Sequence, residues 1–307
     1  MGISLYPDHA KNSEDLVRAA DAAMYKVKHA GRNHSAFYSD ELTAQARQRV
    51  LLEGRLRQAL KANQLACYYQ PQVDIHSGQL TGAEVLLRWQ DAELGFISPA
   101  VFIPLAESCG LIHQLGFWVL QQSCRQYSQW LAQGYKPFSL AVNVSAHQFG
   151  KEQLLDELQQ ILAETQMPAK YLELEVTESA LMLDEDKVVN LMQQIKTLGV
   201  RLAIDDFGTG YSSLAYLKRL PLDVLKIDRR FIEHIPQAND DKQITSAIIA
   251  LAHNMNFKVL AEGVETAEQL AFLQQQGCDY YQGYYFSKPL PAAEFATLLG
   301  KTAMDVS

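Results

Sequence analysis

Seven short apolar stretches of this 307-residue chain carry, at or near their carboxyl ends, side chains that hold charge or donate hydrogen bonds. Glu84 and Arg88 come first, then Asn143, Glu175, the adjacent pair Asp205 and Asp206, Lys226 with Asp228, Glu262, and Gln282. One acid at a strand end would ordinarily be solvated or cap the following helix. Seven recurrences at the same place argue for one site. Five of these carboxylates, Glu84, Glu175, Asp205, Asp206 and Glu262, gathered in one place would repel one another, and several would stay protonated, unless cations balance them. An all-oxygen donor set suits hard divalent ions such as Mg²⁺ or Mn²⁺. Two neighbouring aspartates can serve two ions through a shared carboxylate, and paired metals about 3.5–4 Å apart favour in-line displacement at a phosphoester. Lys226 would then position water or neutralise phosphate, and Arg88 would grip a phosphate in a bidentate fork.

Other motifs point away from other chemistries. Gly208-Thr209-Gly210 follows the aspartates, but Ser213 stands where a dinucleotide fingerprint needs its third glycine. The segment reads as a glycine loop holding the two acids. The eight histidines show neither HxH nor HExxH spacing, which argues against zinc. His113, His147 and His253 read as helix-surface or packing residues. Tyr280, Tyr281, Tyr284, Tyr285 and Phe286 read as a core cluster, with stacking on a base as the alternative.

The elements that must position these residues follow from hydrophobic periodicity. Strand patterns cover 66–73, 79–88, 138–144, 171–177, 201–205, 223–228, 257–261 and 279–283. The first two flank the tight turn at 75–78 and should form an antiparallel hairpin. Helical patterns at 113–133, 151–165, 184–198, 239–255 and 265–276 separate the later strands, which implies parallel strands joined by crossovers. Eight strands favour a closed α/β barrel, a TIM-like (β/α)8 fold with its first strand antiparallel, over an open doubly wound sheet. Parallel barrel strands all deliver their carboxyl ends to one mouth, so the residues above converge there. Upstream, residues 1–40 read as a strand at 1–6 and a helix from Ser13 stopped by Gly31-Arg32-Asn33. That is too little for an independent core, and it reads as the end of a larger domain. Residues 41–62 read as a connector helix, and 63–307 as the barrel.

Composition sets outer bounds. Hydrophobic residues make up 48% and charged residues 20%, an ordinary globular balance. A net charge of −8 argues against long nucleic acids as partners. No apolar run approaches the roughly 20 residues of a membrane span, so no membrane contact is expected of this segment. Cys67, Cys109, Cys124 and Cys278 lack CxxC spacing and read as free thiols of a cytoplasmic protein.

Residues 50–300 resemble, end to end, the EAL domain, a bacterial phosphodiesterase family that hydrolyses cyclic di-GMP. The resemblance rests on Tyr69-Gln70-Pro71, Glu84-Val85-Leu86-Leu87-Arg88-Trp89, Ile103-Pro104-Leu105-Ala106-Glu107, Asn143-Val144-Ser145 and Glu175-Val176-Thr177-Glu178. It continues through Asp205-Asp206-Phe207-Gly208-Thr209-Gly210, Leu225-Lys226-Ile227-Asp228, Ala261-Glu262-Gly263-Val264-Glu265 and Gln282-Gly283. Residues 1–38 resemble the end of a GGDEF domain without its signature. The resemblance implies that Glu84, Asn143, Glu175 and Asp205 bind one metal, and Asp205, Asp206 and Glu262 a second. It implies that Lys226 orients the attacking water, that Glu262 acts as general base, and that Gln282 lies near the metals. Gln70, Leu86 and Arg88 would contact substrate, with Asp228 in support. Glu178 would steady the loop 207–213, and Glu265 would stand behind the catalytic residues as a further acid. The namesake alanine is Val85 here. Its side chain should point to the helices, where two extra methyls alter packing rather than chemistry.

The resulting expectation is hydrolysis of cyclic di-GMP to linear pGpG by water attacking in line between two Mg²⁺ or Mn²⁺ ions, in a homodimer. The rival is a catalytically silent cyclic di-GMP receptor or dimerisation module. Its hallmark would be a missing ligand, and none is missing.

Overall fold

The computed structural model describes residues 1–29, 35–62, 64–149, 153–182, 184–208 and 214–299. Eight strands close a barrel: Leu65–Asp74 (β1), Leu80–Asp91 (β2), Ser139–Val144 (β3), Leu172–Thr177 (β4), Arg201–Phe207 (β5), Val224–Ile227 (β6), Lys258–Ala261 (β7) and Tyr280–Tyr281 (β8). β2 to β8 run parallel in chain order. β1 closes the ring, antiparallel to both β2 and β8. Leu65 pairs with Trp89 and Gln70 with Glu84, and the register shifts at Gln72/Val73, leaving Thr81 as the extra residue of β2.

Strand alternation sorts the side chains by layer. Leu140, Val142, Leu172, Leu174, Val176, Leu202, Ile204, Leu225 and Ile227 are buried in the main apolar core, which also takes in the helices. Val85 belongs to this outer shell, as its parity requires. Leu260, Val224 and Ala203 form a separate small apolar cluster with Tyr280. With Gln72, Ser139, Glu173 and Arg201, three of these residues line a cavity of about 50 Å³. Those residues lie toward the amino ends of the parallel strands, below the residues that face the mouth.

The crossover helices are Ile112–Ala132, Gln153–Thr165, Glu185–Thr197, Asn239–Asn254 and Ala267–Gln275. Local chemistry fixes their starts. Asp184 accepts from the Lys187 amide, and Thr266 and Gln269 form a reciprocal capping box. A further helix, Ala292–Leu299, places Phe295 against Tyr69, Trp130 and Phe138 with ring centroids 5.4–5.6 Å apart.

Several elements differ from the sequence expectation. The strand expected at 1–6 spans only Gly2–Ile3, and it pairs in parallel with Ala36–Phe37. A Cβ at Gly2 would lie 2.0 Å from the carbonyl oxygen of Ala20, so the close approach of the Ser13–His29 helix requires glycine. The stop at residues 31–33 lies outside the described residues, as do Thr209–Ser213 of the glycine loop. A helix at Pro99–Ser108 was not anticipated. The aromatic cluster divides: Tyr280, Tyr281 and Phe286 pack on the core as expected, and the other two tyrosines do not. Tyr281 is buried, but Tyr284 and Tyr285 are exposed beyond the short β8.

The helix Asp40–Ala59 buries Leu52, Leu56 and Ala59 in the main core. Arg55 from this helix donates to Asp91 at 2.8 Å and also pairs with Glu93. The same Asp91 oxygen accepts the amides of Glu93 and Leu94, tying the helix to the end of β2.

Candidate active site at the barrel mouth

Lys226 projects from β6 into the barrel and is wholly buried. Its Nζ lies 2.7 Å from Glu175, 2.7 Å from Glu262, 3.2 Å from Asp205 and 3.6 Å from Glu84. One ammonium thus faces four carboxylates from four strands or strand ends. Burial works against its charge, but Asp205, Glu175, Glu262 and Glu84 outweigh burial and push its pKa well above the usual lysine range. Lys226 is therefore a cation at any ordinary pH.

The carboxylates differ in state because their partners differ. Burial would raise Glu84, but Lys226, Gln282 and Asn143 hold it below its ordinary value. Asn143 Nδ2 donates to one Glu84 oxygen at 2.7 Å, and Gln282 Nε2 to the other at 2.5 Å. Gln282 Nε2 also donates to Glu262 at 3.1 Å. Burial raises Glu175 well above the carboxylate range despite Lys226, and it raises Glu262 to about 8. Glu175 Oε1 is buried with no hydrogen-bond partner. A buried carboxyl oxygen without a partner is costly.

Asp205 and Asp206 are consecutive, so a regular strand would send them to opposite faces. The backbone of β5 departs from regularity here. Asp206 has φ +55°, and the pairing of β5 with β6 slips between Ile204 and Phe207. This turn lets both acids reach the mouth: carboxylate oxygens of Asp205, Asp206 and Glu262 lie within 4.8 Å of one another. Burial and the neighbouring Asp205 charge lift Asp206 to about 6. Asp228, by contrast, stays low against burial because Arg230 donates to it from both backbone and side chain.

The remaining expected residues frame this centre at varying distance. Gln70 is buried on β1 opposite Glu84. Leu86 and Arg88 share the Glu84 face of β2, and the Arg88 guanidinium lies 5.5 Å from the Tyr68 ring centroid. A largely apolar cavity of about 560 Å³ opens beside them, lined by Leu86, Arg88, Pro99, Ile103, Asn143 and Ser145 among others. Glu178 is buried and accepts the Gly208 amide at 3.2 Å, so it holds the start of the loop that follows the aspartates. Glu265 faces Arg229 at 3.3 Å rather than Lys226. One residue not singled out by the sequence joins the network: Gln72 Nε2 donates to Gln282 Oε1 at 3.2 Å. Its signal was available, since Gln72 stands two residues from Gln70 and shares its face.

A barrel with one reversed strand and an acid-rich mouth defines the class, and comparison with known proteins supplies the family. Residues 53–289 match the EAL domain, and residues 1–34 match the diguanylate cyclase GGDEF domain. The chain belongs to the EAL domain family. It is 44% identical over 307 residues, all of this chain, to the cyclic di-GMP phosphodiesterase NbdA of Pseudomonas aeruginosa. It is 45% identical over 294 residues, 96% of this chain, to the bifunctional diguanylate cyclase/cyclic di-GMP phosphodiesterase MucR of the same organism. The chain spans only 39% and 43% of the length of those two relatives. Among solved structures, the PaMucR phosphodiesterase in its c-di-GMP complex superposes with a TM-score of 0.78 at 46% identity, covering 80% of this chain and 99% of that one. No helix among the described residues is long and apolar enough to cross a membrane.

Proposed function

We propose that this chain hydrolyses cyclic di-GMP to linear pGpG with two Mg²⁺ or Mn²⁺ ions bound at the barrel mouth. The observation that carries the reading is the carboxylate constellation around Lys226, together with the buried, partnerless Glu175 Oε1. The donor set fits hard divalent cations, being all oxygen and including three carboxylates whose oxygens already lie within 4.8 Å. A cation would satisfy the orphaned Glu175 oxygen and relieve the repulsion that lifts Asp206 and Glu262. Glu84, Asn143, Glu175 and Asp205 would hold one ion, and Asp205, Asp206 and Glu262 the other. When bound, the ions polarise the phosphoester and lower the pKa of water.

The chain's own residues supply the rest. Lys226 is charged beside the four carboxylates, and it would orient water as a donor. Glu262 accepts directly from Lys226 at 2.7 Å, and its carboxylate at the mouth would take the proton from a water beside the pair. Water oxygen bonds to phosphorus as the bond to the ribose 3′ oxygen breaks. That oxygen takes up a proton, and the product carries a 5′ phosphate. Arg88, Leu86 and Gln70 contact substrate at the rim, Asp228 supports the site beside Asp206, and Glu178 sets the loop after Phe207. Glu265 acts from behind, by holding Arg229 against the Gly263 turn. A cytoplasmic location is in keeping with the free cysteines, and the homodimer expectation rests on the family resemblance.

The test is turnover of cyclic di-GMP by the purified chain with Mg²⁺ or Mn²⁺, with pGpG read by chromatography, beside Glu84→Ala. Turnover that disappears in the variant is expected. Tight binding without turnover under either metal would overturn the enzyme reading in favour of a receptor.

A further inference from the structure

We propose that Gln72 is a positioning residue for this site: its side-chain nitrogen donates to Gln282 and so fixes the Gln282 amide with its own nitrogen toward Glu84 and Glu262. The inference rests on the metal-site reading above. A carboxamide has one accepting end and one donating end. Gln282 spends its donating end on Glu84 at 2.5 Å and Glu262 at 3.1 Å. Its oxygen must then face a donor, and Gln72 Nε2 stands there at 3.2 Å. With that donor removed, the Gln282 amide can turn over, and its oxygen would then face two carboxylates. The hydrogen bond shown for the Gln72 side chain goes to Gln282 and not to the carboxylates or Lys226, so it acts through Gln282.

The barrel is shaped to hold Gln72 in this pose. Gln72 is 4% exposed and pairs with Gly82 at the register shift between β1 and β2. Thr81, the extra residue of that irregularity, donates to the Gln72 carbonyl at 3.4 Å. A Cβ at Gly82 would lie 2.4 Å from Gln72 Oε1. Gly82 does not have the positive φ that would itself demand glycine, so the close approach of the Gln72 amide is what its missing side chain accommodates. Gly82→Ala therefore displaces the same amide with Gln72 itself unchanged, the added Cβ also lying 3.1 Å from the Ser139 carbonyl oxygen.

Four variants test this, each followed by Mn²⁺ titration calorimetry, by kcat and KM for cyclic di-GMP, and by melting. Gln72→Met keeps length and burial but loses the donor. It is expected to bind Mn²⁺ about tenfold more weakly and to lose kcat by a similar factor, the scale typical of partners behind metal ligands, with KM within about twofold. Gln72→Lys restores a donor to Gln282 Oε1 and is expected to recover most of the affinity. Gly82→Ala should mimic Gln72→Met, and the double variant should be no worse than Gln72→Met alone, because both act through one amide. Wild-type affinity and kcat in Gln72→Met would overturn the proposal and leave the metal site standing. Equal losses in Gln72→Met and Gln72→Lys would assign the effect to packing and also overturn it. A wild-type chain that neither binds Mn²⁺ nor turns over substrate would overturn both readings.

Discussion

Lys226→Met is the most searching perturbation of the site, because one substitution removes the one cation that, among the described residues, pairs with all four carboxylates, two of them buried and two half-buried. The ammonium lies within 3.6 Å of Glu84, Glu175, Asp205 and Glu262 and is wholly buried. Removing one partner of a buried ion pair typically costs about 3–5 kcal/mol. For a chain of this size that corresponds to a melting temperature lower by about 5–8 °C. The pH dependence separates this cause from lost packing. The raised pKa of Lys226 keeps the cation through any pH below the ordinary lysine value. Glu84, held below its ordinary value, contributes stability above its unfolded pKa and loses it as pH falls through the folded one. The gap between wild type and variant should therefore be widest above about pH 8, narrow as pH falls through about 8 where Glu262 protonates, and close only below the ordinary carboxylate range where Glu84 does. The assay is thermal unfolding followed by circular dichroism in chelator across that range, repeated with Mn²⁺. Mn²⁺ should recover part of the loss, since a cation replaces the missing charge, without restoring turnover. A melting loss of constant size from pH 4 to 9 would refute the electrostatic account.

Further expectations follow from neighbouring features. Because burial lifts Glu262 to about 8 and Glu175 well above the carboxylate range, Mn²⁺ binding at pH 7 should release about two protons, with little from Asp206 at about 6. Calorimetry in buffers of different ionisation heat would show this, and the affinity should rise with pH up to about 8. Glu178→Ala removes the acceptor of the Gly208 amide; kcat should fall about tenfold, while Mn²⁺ affinity measured by calorimetry changes little, a scale of about 1.4 kcal/mol. Val85→Ala deletes two methyl groups from the outer shell, so denaturant unfolding should show a loss of roughly 1.5 kcal/mol, with kcat unchanged.

The mouth was readable in the sequence because strand parity and strand ends are both written in hydrophobic alternation. Glu175 faces inward because Leu174 and Val176 face the helices, and the same parity placed Val85 outside. What escaped had physical reasons. The helix Pro99–Ser108 carries prolines at its first position and at 104, and the second masked an apolar face made by Phe102, Leu105 and Ala106. Proline at a helix start is favourable, because the amide it lacks would have had no partner. Asp205 and Asp206 were expected together, yet parity alone would have separated them. The positive φ at Asp206 reconciles the two, and nothing in an aspartate's identity announces it. Gln72 was passed over because its effect depends on which way an amide 210 positions along the chain is turned. Tyr284 and Tyr285 are surface residues because β8 ends at Tyr281, sooner than the aromatic run suggested.

The reversal of β1 also decides which way the protein faces its own chain. In a barrel whose strands all run alike, the first strand begins at the end remote from the chemistry. Here Leu65 begins beside Trp89, at the carboxyl end of β2, so the polypeptide enters on the same side as the carboxylates. The helix Asp40–Ala59 therefore arrives at the working end, latched by Arg55 to Asp91 only seven residues beyond Glu84. A tug or twist applied to that helix has a short mechanical route to the strand bearing Glu84, Leu86 and Arg88. One inverted strand turns the entrance of the chain into a handle on the face that carries the carboxylates.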